Sequence, residues 1–248
     1  MMDAVRRAGW LAFARWAMLA SCLAMAACRT APAPRELPPP AAPIAGARVE
    51  HFHIDSERSQ VLILVYRDGP MARLGHNHVL SVRALSGEVA MADDIAQASF
   101  SLEFPVAAMT IDEPGLRAQL GDDFKATVDA ASIDGTRAHM FGEQLLDAVH
   151  YPSIRLKSER LRAEADHWLL TLRITVRDHD STVEVPLTLT STPDQLSASG
   201  EFDLSHAQLG LTPYSVGLGA LRVAETIHIR YGLVAQRSAA SDAGTDTP

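Results

Sequence analysis

The chain has 248 residues, of which 47% are hydrophobic, and its formal net charge at pH 7 is −8. Its basic residues form no stripe and are not interleaved with aromatic residues, and an acidic chain is poorly suited to a phosphate backbone, so we expect no nucleic-acid partner. No nucleophile motif, phosphate-binding glycine loop or zinc-protease helix motif occurs, so we expect no catalytic residues and no enzyme activity.

The N-terminal segment has the pattern of a secretory signal. Three arginines, the last of them Arg15, precede an apolar run at residues 16–27. This run is short for a membrane-spanning helix, which needs about 20 residues. The alternative is an uncleaved anchor helix over residues 10–27, but it would bury Arg15 at a cost of about 2.5–3.5 kcal/mol. We therefore predict a signal peptide over residues 1–27.

The end of this segment resembles a bacterial lipobox, in which a cysteine after small residues is acylated and becomes the first residue. Cys28 follows the full apolar run, whereas Cys22 fits the residue pattern better but leaves a shorter run. We predict lipidation at Cys28, with Cys22 as the alternative. Residues 28–48 are rich in proline and alanine and predict a semi-rigid tether. Arg29 favours the outer membrane, with the protein facing the periplasm.

The rest of the chain up to residue 235 alternates apolar and polar residues with a period of two, which is typical of antiparallel strands with one solvated face. Both cysteines precede this region, so its fold has no disulfide. The predicted strands are 51–55, 60–67, 79–91 with a break near 86–87, 98–104, 153–162, 168–177, 182–190, 196–204 and 221–235. Strands at this spacing predict one β-sandwich or β-barrel domain over residues 49–235.

One stretch departs from the strand pattern. Residues 135–150 place Met140, Leu145 and Val149 at helical spacing, and Tyr151 with Pro152 would end a helix. We predict one or two short helices here, covering one end of the domain. Residues 236–248 are small and polar, and predict a disordered tail.

A barrel of about eight strands is either filled by its own side chains or able to hold one small ligand. The alternation does not decide between these cases. If a cavity exists, the residues predicted to line it are Phe100, Leu102, Phe104, Trp168, Leu170, Leu172, Ile174, Val185 and Leu187.

Four motifs in order resemble the YceI-like, polyisoprenoid-binding family. They are Phe-His-Ile-Asp at residues 52–55 with the strand that follows, the stretch 140–158 around Tyr-Pro, Thr-Val-Glu-Val-Pro-Leu at 182–187, and Val-Ala-Glu-Thr-Ile-His-Ile at 223–229. The resemblance implies an all-β, lipocalin-like antiparallel β-barrel. It also implies a bound isoprenoid lipid, such as a quinone or polyprenyl chain, and no required cofactor.

The Gly-His-Asn-His sequence at residues 75–78 is the most chemically suggestive group. In an extended segment His76 and His78 share a face, as pairs of metal ligands do. A metal site needs a third ligand, for which His51, His53 and Asp55 are the candidates. In the other interpretation, which we favour, His76 and His78 hydrogen-bond backbone groups around the turn at Gly75 or contact a lipid headgroup at the cavity mouth, and no metal is bound.

The sequence therefore predicts a lipid-anchored envelope protein that binds an apolar lipid as a carrier, store or sensor. A metal-binding protein or metal-dependent enzyme using the His76/His78 pair is the alternative, and a filled structural barrel is a third possibility.

The lipidation site is tested by replacing each cysteine in the full chain. We expect Cys28→Ser to release the protein from the membrane fraction in soluble form, because the acylated residue is lost. Cys22→Ser should leave it membrane-bound. Mass spectrometry of the mature N-terminus measures the modification directly, and an unmodified Cys28 within an intact N-terminus would contradict the prediction.

Overall fold

The computed structural model describes residues 49–238. The predicted signal peptide, the tether, Cys22 and Cys28 lie outside the described residues, as does most of the predicted tail. Within residues 49–238 no helix has the length and hydrophobicity needed to cross a membrane.

Strands dominate the described region, with two α-helices among them. The strands are β1 (Val49–Ile54), β2 (Gln60–Asp68), β3 (His78–Val82), β4 (Ser86–Ala92), β5 (Ser99–Pro105), β6 (Thr110–Ile111), β7 (Ser153–Ala163), β8 (Trp168–Val176), β9 (His179–Ser191), β10 (Gln195–Ser205), β11 (Ser215–Val216) and β12 (Leu221–Arg237). The helices are α1 (Pro114–Arg117) and α2 (Ala130–Phe141).

Eight antiparallel strands form a closed barrel. Their order is β1-β4-β5-β7-β8-β9-β10-β12, and β12 pairs back onto β1 with Phe52 opposite Arg237. The remaining strands extend this barrel: β2 pairs with β12 and carries β3 and then β6, and β11 pairs with the start of β12. The predicted all-β, lipocalin-like barrel with short helices is confirmed.

The apolar residues that alternate along the strands face the barrel interior, where they form the main core. A smaller cluster of Phe52, Met91, Leu196 and Ala235 lies at the end where β12 finishes. A third cluster lies on the outer face of β2 and β3, where Leu64 and Val79 pack against Phe124. The segment after β6 therefore covers this part of the wall from outside.

The predicted helix is displaced. Helix α2 begins at Ala130 because the side chain of Asp129 accepts a hydrogen bond from the Ser132 amide at 2.8 Å and caps its first turn. It ends at Phe141, so the second half of the predicted helix is a series of turns. Side chains of both parts, including Met140 and Leu146, pack against the main core.

Several strand boundaries also differ from prediction. The break predicted near residues 86–87 lies at residues 83–85, and β4 begins at Ser86. Strand β9 begins at His179, which pairs with Val176, so the connecting turn is shorter than predicted; Arg177 takes the positive φ of 59° that this turn requires. Strand β12 continues to Arg237, two residues into the predicted disordered tail, because these residues pair with β1.

Candidate functional site

The barrel encloses an apolar cavity of about 220 Å³. Eight of the nine residues predicted to line a cavity do line this one: Phe100, Leu102, Phe104, Leu170, Leu172, Ile174, Val185 and Leu187. The strands β2, β10 and β12 contribute further apolar side chains, and no charged residue takes part. The alternation identified the inward face, and closure of the sheet brings these positions together.

Trp168 does not line the cavity, so the prediction for this residue is wrong. It has the inward phase, but it is the first residue of β8 and lies before Leu170, where the cavity lining of that strand begins. The indole packs against the main core in a half-buried position.

Several inward-facing side chains are not fully buried. Val61 and Ile63 on β2, Ala198 on β10 and Leu233 on β12 line the cavity and keep part of their surface accessible. Leu172 and other lining residues of β8 are fully buried. Interiors of filled barrels are close-packed, so accessible surface on these inward side chains indicates space for a ligand.

The cavity follows the length of the barrel. On β12 its lining runs through alternate residues from Ile227 to Ala235, which is ~26 Å along the strand at about 3.3 Å per residue. With a strand tilt of about 40° this corresponds to ~20 Å along the barrel axis. A long, narrow space suits an extended chain better than a compact molecule.

The hydroxyl groups inside the barrel are already paired with the backbone. Ser158 accepts a hydrogen bond from the Phe100 amide at 2.8 Å, and Tyr231 donates one to the Pro186 carbonyl at 2.8 Å. Burial raises the pKa of Tyr231, which keeps its hydroxyl protonated and able to donate. The interior therefore presents mainly hydrocarbon to a ligand.

Tyr231 also bridges a discontinuity in the barrel wall. The pairing of β9 with β10 ends at Thr188 and Ser199, next to Pro186, which has no amide hydrogen to donate. Tyr231 lies opposite Gly200, and a Cβ at Gly200 would be 2.5 Å from the Pro186 carbonyl oxygen. Because Gly200 has no side chain, the Tyr231 hydroxyl can reach across to β9.

The two predicted headgroup residues are not among the residues that line the cavity. His78 is the first residue of β3, and its Nδ1 lies 2.6 Å from Oδ2 of Asp112. The His76 ring lies near it, with the ring centroids 6.3 Å apart. The structure thus brings the two histidines together but assigns His78 a buried carboxylate partner.

No group of three metal-ligating side chains that could hold an ion occurs within residues 49–238. The candidate third ligands His51, His53 and Asp55 come from β1 and the residue after it, whereas His78 begins β3, and β2 and β12 separate these two strands in the sheet. The predicted alternative of a metal site therefore finds no third ligand there.

Comparison with known proteins agrees with this architecture. A family model described as a YceI-like domain matches residues 52–235. The chain belongs to the YceI-like family. No curated protein matches the sequence.

Solved structures of this family resemble the chain in fold. The crystal structure of BcnA from Burkholderia cenocepacia aligns with a TM-score of 0.53 at 17% identity, over 73% of this chain and 98% of that one. A mutant of the Campylobacter jejuni YCEI protein with a monobromobimane guest aligns at a TM-score of 0.47 and 8% identity, over 64% of this chain and 85% of that one. At this identity BcnA supports the barrel fold alone.

In this YceI-like barrel Asp112 organises a buried polar network that sequence reasoning missed. Its side chain is fully buried and accepts hydrogen bonds from the Val79 amide at 3.0 Å and from Arg117 Nη1 at 2.5 Å. Arg117 in turn donates to the carbonyls of Asn77 and Ala126. The φ of 54° at Asp112, a value that aspartate tolerates better than most residues, has no sequence signal.

Burial by itself would raise the pKa of the Asp112 carboxyl. The hydrogen bonds from His78 and the Val79 amide and the nearby Arg117 guanidinium outweigh it, so the pKa lies below its ordinary value. A lowered pKa means that this carboxylate stabilises the fold above its unfolded-state pKa of about 3.9 and that the contribution is lost as the pH falls below it.

We expect Asp112→Asn to lower the free energy of unfolding by about 3–5 kcal/mol at pH 7, because Arg117 then keeps a buried charge without its counter-ion. The variant should also lose part of the acid sensitivity of the parent below pH ~4. Denaturant unfolding as a function of pH measures both effects.

The matched control is Asp122→Asn. Asp122 pairs with Lys125 in an exposed position, where the Asp122 side chain is 92% accessible, so stability should not change measurably. Equal effects of the two substitutions would contradict a role for the buried network.

Proposed function

We propose that the barrel binds the apolar chain of an isoprenoid-type lipid, such as a quinone or a polyprenyl species, and acts as its carrier, store or sensor. The observation that supports this most directly is the cavity of about 220 Å³ with an almost entirely hydrocarbon lining. Binding sites for drug-sized molecules measure roughly 300–1,000 Å³. The smaller and elongated space favours a slender chain.

The affinity comes from removing the chain from water. Each buried CH₂ group contributes about 0.8 kcal/mol, and the cavity is long enough to take several isoprene units in an extended form. Methyl branches along the chain fit between the branched side chains that line the wall, such as Leu172, Val185 and Ile229.

The cavity selects an apolar chain over a polar headgroup because its interior hydroxyls are already hydrogen-bonded. Tyr231 and Ser158 hydrogen-bond with backbone groups, and a buried polar group without a partner costs free energy. A polar headgroup therefore remains outside the cavity, where it can keep its hydrogen bonds to water.

The site of action is part of the same proposal. Residues 1–48 have the pattern of an export signal and a proline-rich tether. A protein anchored through Cys28 at the periplasmic face of the envelope, with the outer membrane favoured, would have membrane lipid within reach of its barrel.

The test is native mass spectrometry with lipid extraction on protein purified from its own envelope. We expect a co-purifying apolar lipid in the parent and its loss in Ala198→Phe. Ala198 lines the cavity and is only half-buried, so a larger side chain there fills empty space rather than overpacking the core.

The control is Ser199→Phe, which adds the same side chain to the outer face of the same strand. It should retain lipid, and both variants should keep the parent circular dichroism spectrum. Lipid retained in Ala198→Phe would exclude this cavity as the binding site. A parent that carries no lipid and takes up none from vesicles would favour a structural barrel.

A further inference from the structure

Exposed apolar side chains cluster at one end of the barrel. Of the seven large hydrophobic residues that are exposed within residues 49–238, five lie in the connection between β2 and β3 or in the connection between β10 and β12, which includes β11. They are Met71 (42% exposed), Leu74 (55%), Tyr214 (43%), Val216 (40%) and Leu218 (108%). We call these five residues the loop patch. Single exposed apolar residues are ordinary, whereas a cluster marks an interaction surface.

The two loops are joined to each other. The Met71 amide donates a hydrogen bond to the Ala220 carbonyl at 2.8 Å, and Arg222 pairs with Asp68 at 2.6 Å. Gly69 has a φ of 95°, and a Cβ there would lie 2.6 Å from the Ala220 carbonyl oxygen. The close approach of the two backbones fixes the loop patch as one surface.

Leu218 is displayed at the tip of its loop. It lies between Gly217 and Gly219, and all three residues have positive φ, of 60°, 57° and 88°. Leucine adopts this conformation at an energetic cost that glycine and asparagine avoid. A strained and fully exposed leucine contributes nothing to the core, so its place in the loop points to an external partner.

The charge of the two loop segments themselves is opposite to that of the whole chain. Residues 67–75 and 211–222 contain Arg67, Arg73 and Arg222 with a single acid, Asp68, whereas the whole chain has a net charge of −8. Arg67 and Arg73 are exposed. Arginine beside exposed aliphatic residues and a tyrosine is the composition of protein surfaces that contact anionic membranes.

We propose that the loop patch docks onto the surface of an anionic lipid bilayer. The apolar side chains enter the boundary between headgroups and acyl chains, and the arginines contact the lipid phosphates. A protein partner fits less well, because a specific protein interface takes about 20–30 residues and ~800 Å² on each side, whereas the loop patch consists of five side chains on two short loops.

Docking would hold a defined end of the barrel at the membrane. Tyr214 contacts His139 of α2, with ring centroids 4.4 Å apart, so the loop patch adjoins the helix that packs against the core. Strand β12 begins at the loop patch and ends at Arg237. The turn between β9 and β10 precedes Gln195, which pairs with Gln236, so this turn lies at the opposite end of the barrel. The proposal does not depend on which ligand the cavity holds.

The experiment measures contact between single positions and lipid. In the full chain Cys22 and Cys28 are replaced by serine, and a fluorophore is attached at Leu218→Cys or, as the control, at Asp194→Cys in the β9–β10 turn. The labelled protein is mixed with an excess of vesicles and titrated with spin-labelled lipid, which quenches only fluorophores in the bilayer. The vesicles are phosphatidylcholine, or equal parts phosphatidylcholine and phosphatidylglycerol.

We expect several-fold stronger quenching at position 218 than at position 194, and more in the anionic vesicles. Arg73→Glu should reduce the quenching at position 218. With the fluorophore at Val216→Cys, Leu218→Asp should abolish the quenching, and it keeps the fold because aspartate tolerates positive φ better than leucine.

Equal quenching at positions 218 and 194 would overturn the proposal. Concentration-dependent shielding of position 218 from aqueous iodide without vesicles would overturn it in favour of a second copy of the chain. Lipid bound in the same preparations is measured by native mass spectrometry. Bound lipid with no quenching would refute the docking proposal and leave the proposed lipid-binding function standing. Quenching without bound lipid would refute the proposed lipid-binding function and leave the docking proposal standing.

Discussion

Strand β12 pairs along one edge with β10 and along the other with β2 and then β1, and these hydrogen bonds close the sheet. An open sheet of this length would expose two edges of unpaired amides and carbonyls. Closure removes those edges from the barrel and turns one face of every strand inward. The apolar core, the cavity and the position of the loops at each end all depend on this closure.

The cavity exists because the closed sheet holds its own shape. A ligand-binding barrel must keep an apolar space open against the tendency of side chains to fill it, and backbone pairing around the wall supplies the necessary rigidity. Where the pairing of β9 with β10 stops, the hydrogen bond from Tyr231 to Pro186 continues the connection. The hydroxyl groups inside the barrel thus form hydrogen bonds within the barrel wall.

The outer face of the strands that extend the sheet from β12 is covered by another segment of the chain. Strands β2, β3 and β6 branch from β12, and the outer face of β2 and β3 is apolar at Leu64 and Val79. Phe124 covers this face, and Asp112 with Arg117 fastens the covering segment to the start of β3. His78 belongs to this network, which explains why it is not at the cavity.

The period of two in the sequence was enough to predict most of the strands and the inward direction of eight residues that line the cavity, because side-chain direction along a strand is a local property. The choice of a barrel over a sandwich came from the resemblance to the YceI-like family. Trp168 shows the limit of the alternation, which gives direction but not depth along the barrel. The partner of His78 is Asp112, 34 residues away, and the loop patch joins segments about 140 residues apart. Only tertiary structure decided these contacts, the cavity and the pairing that closes the sheet, since each depends on which distant segments the fold makes neighbours.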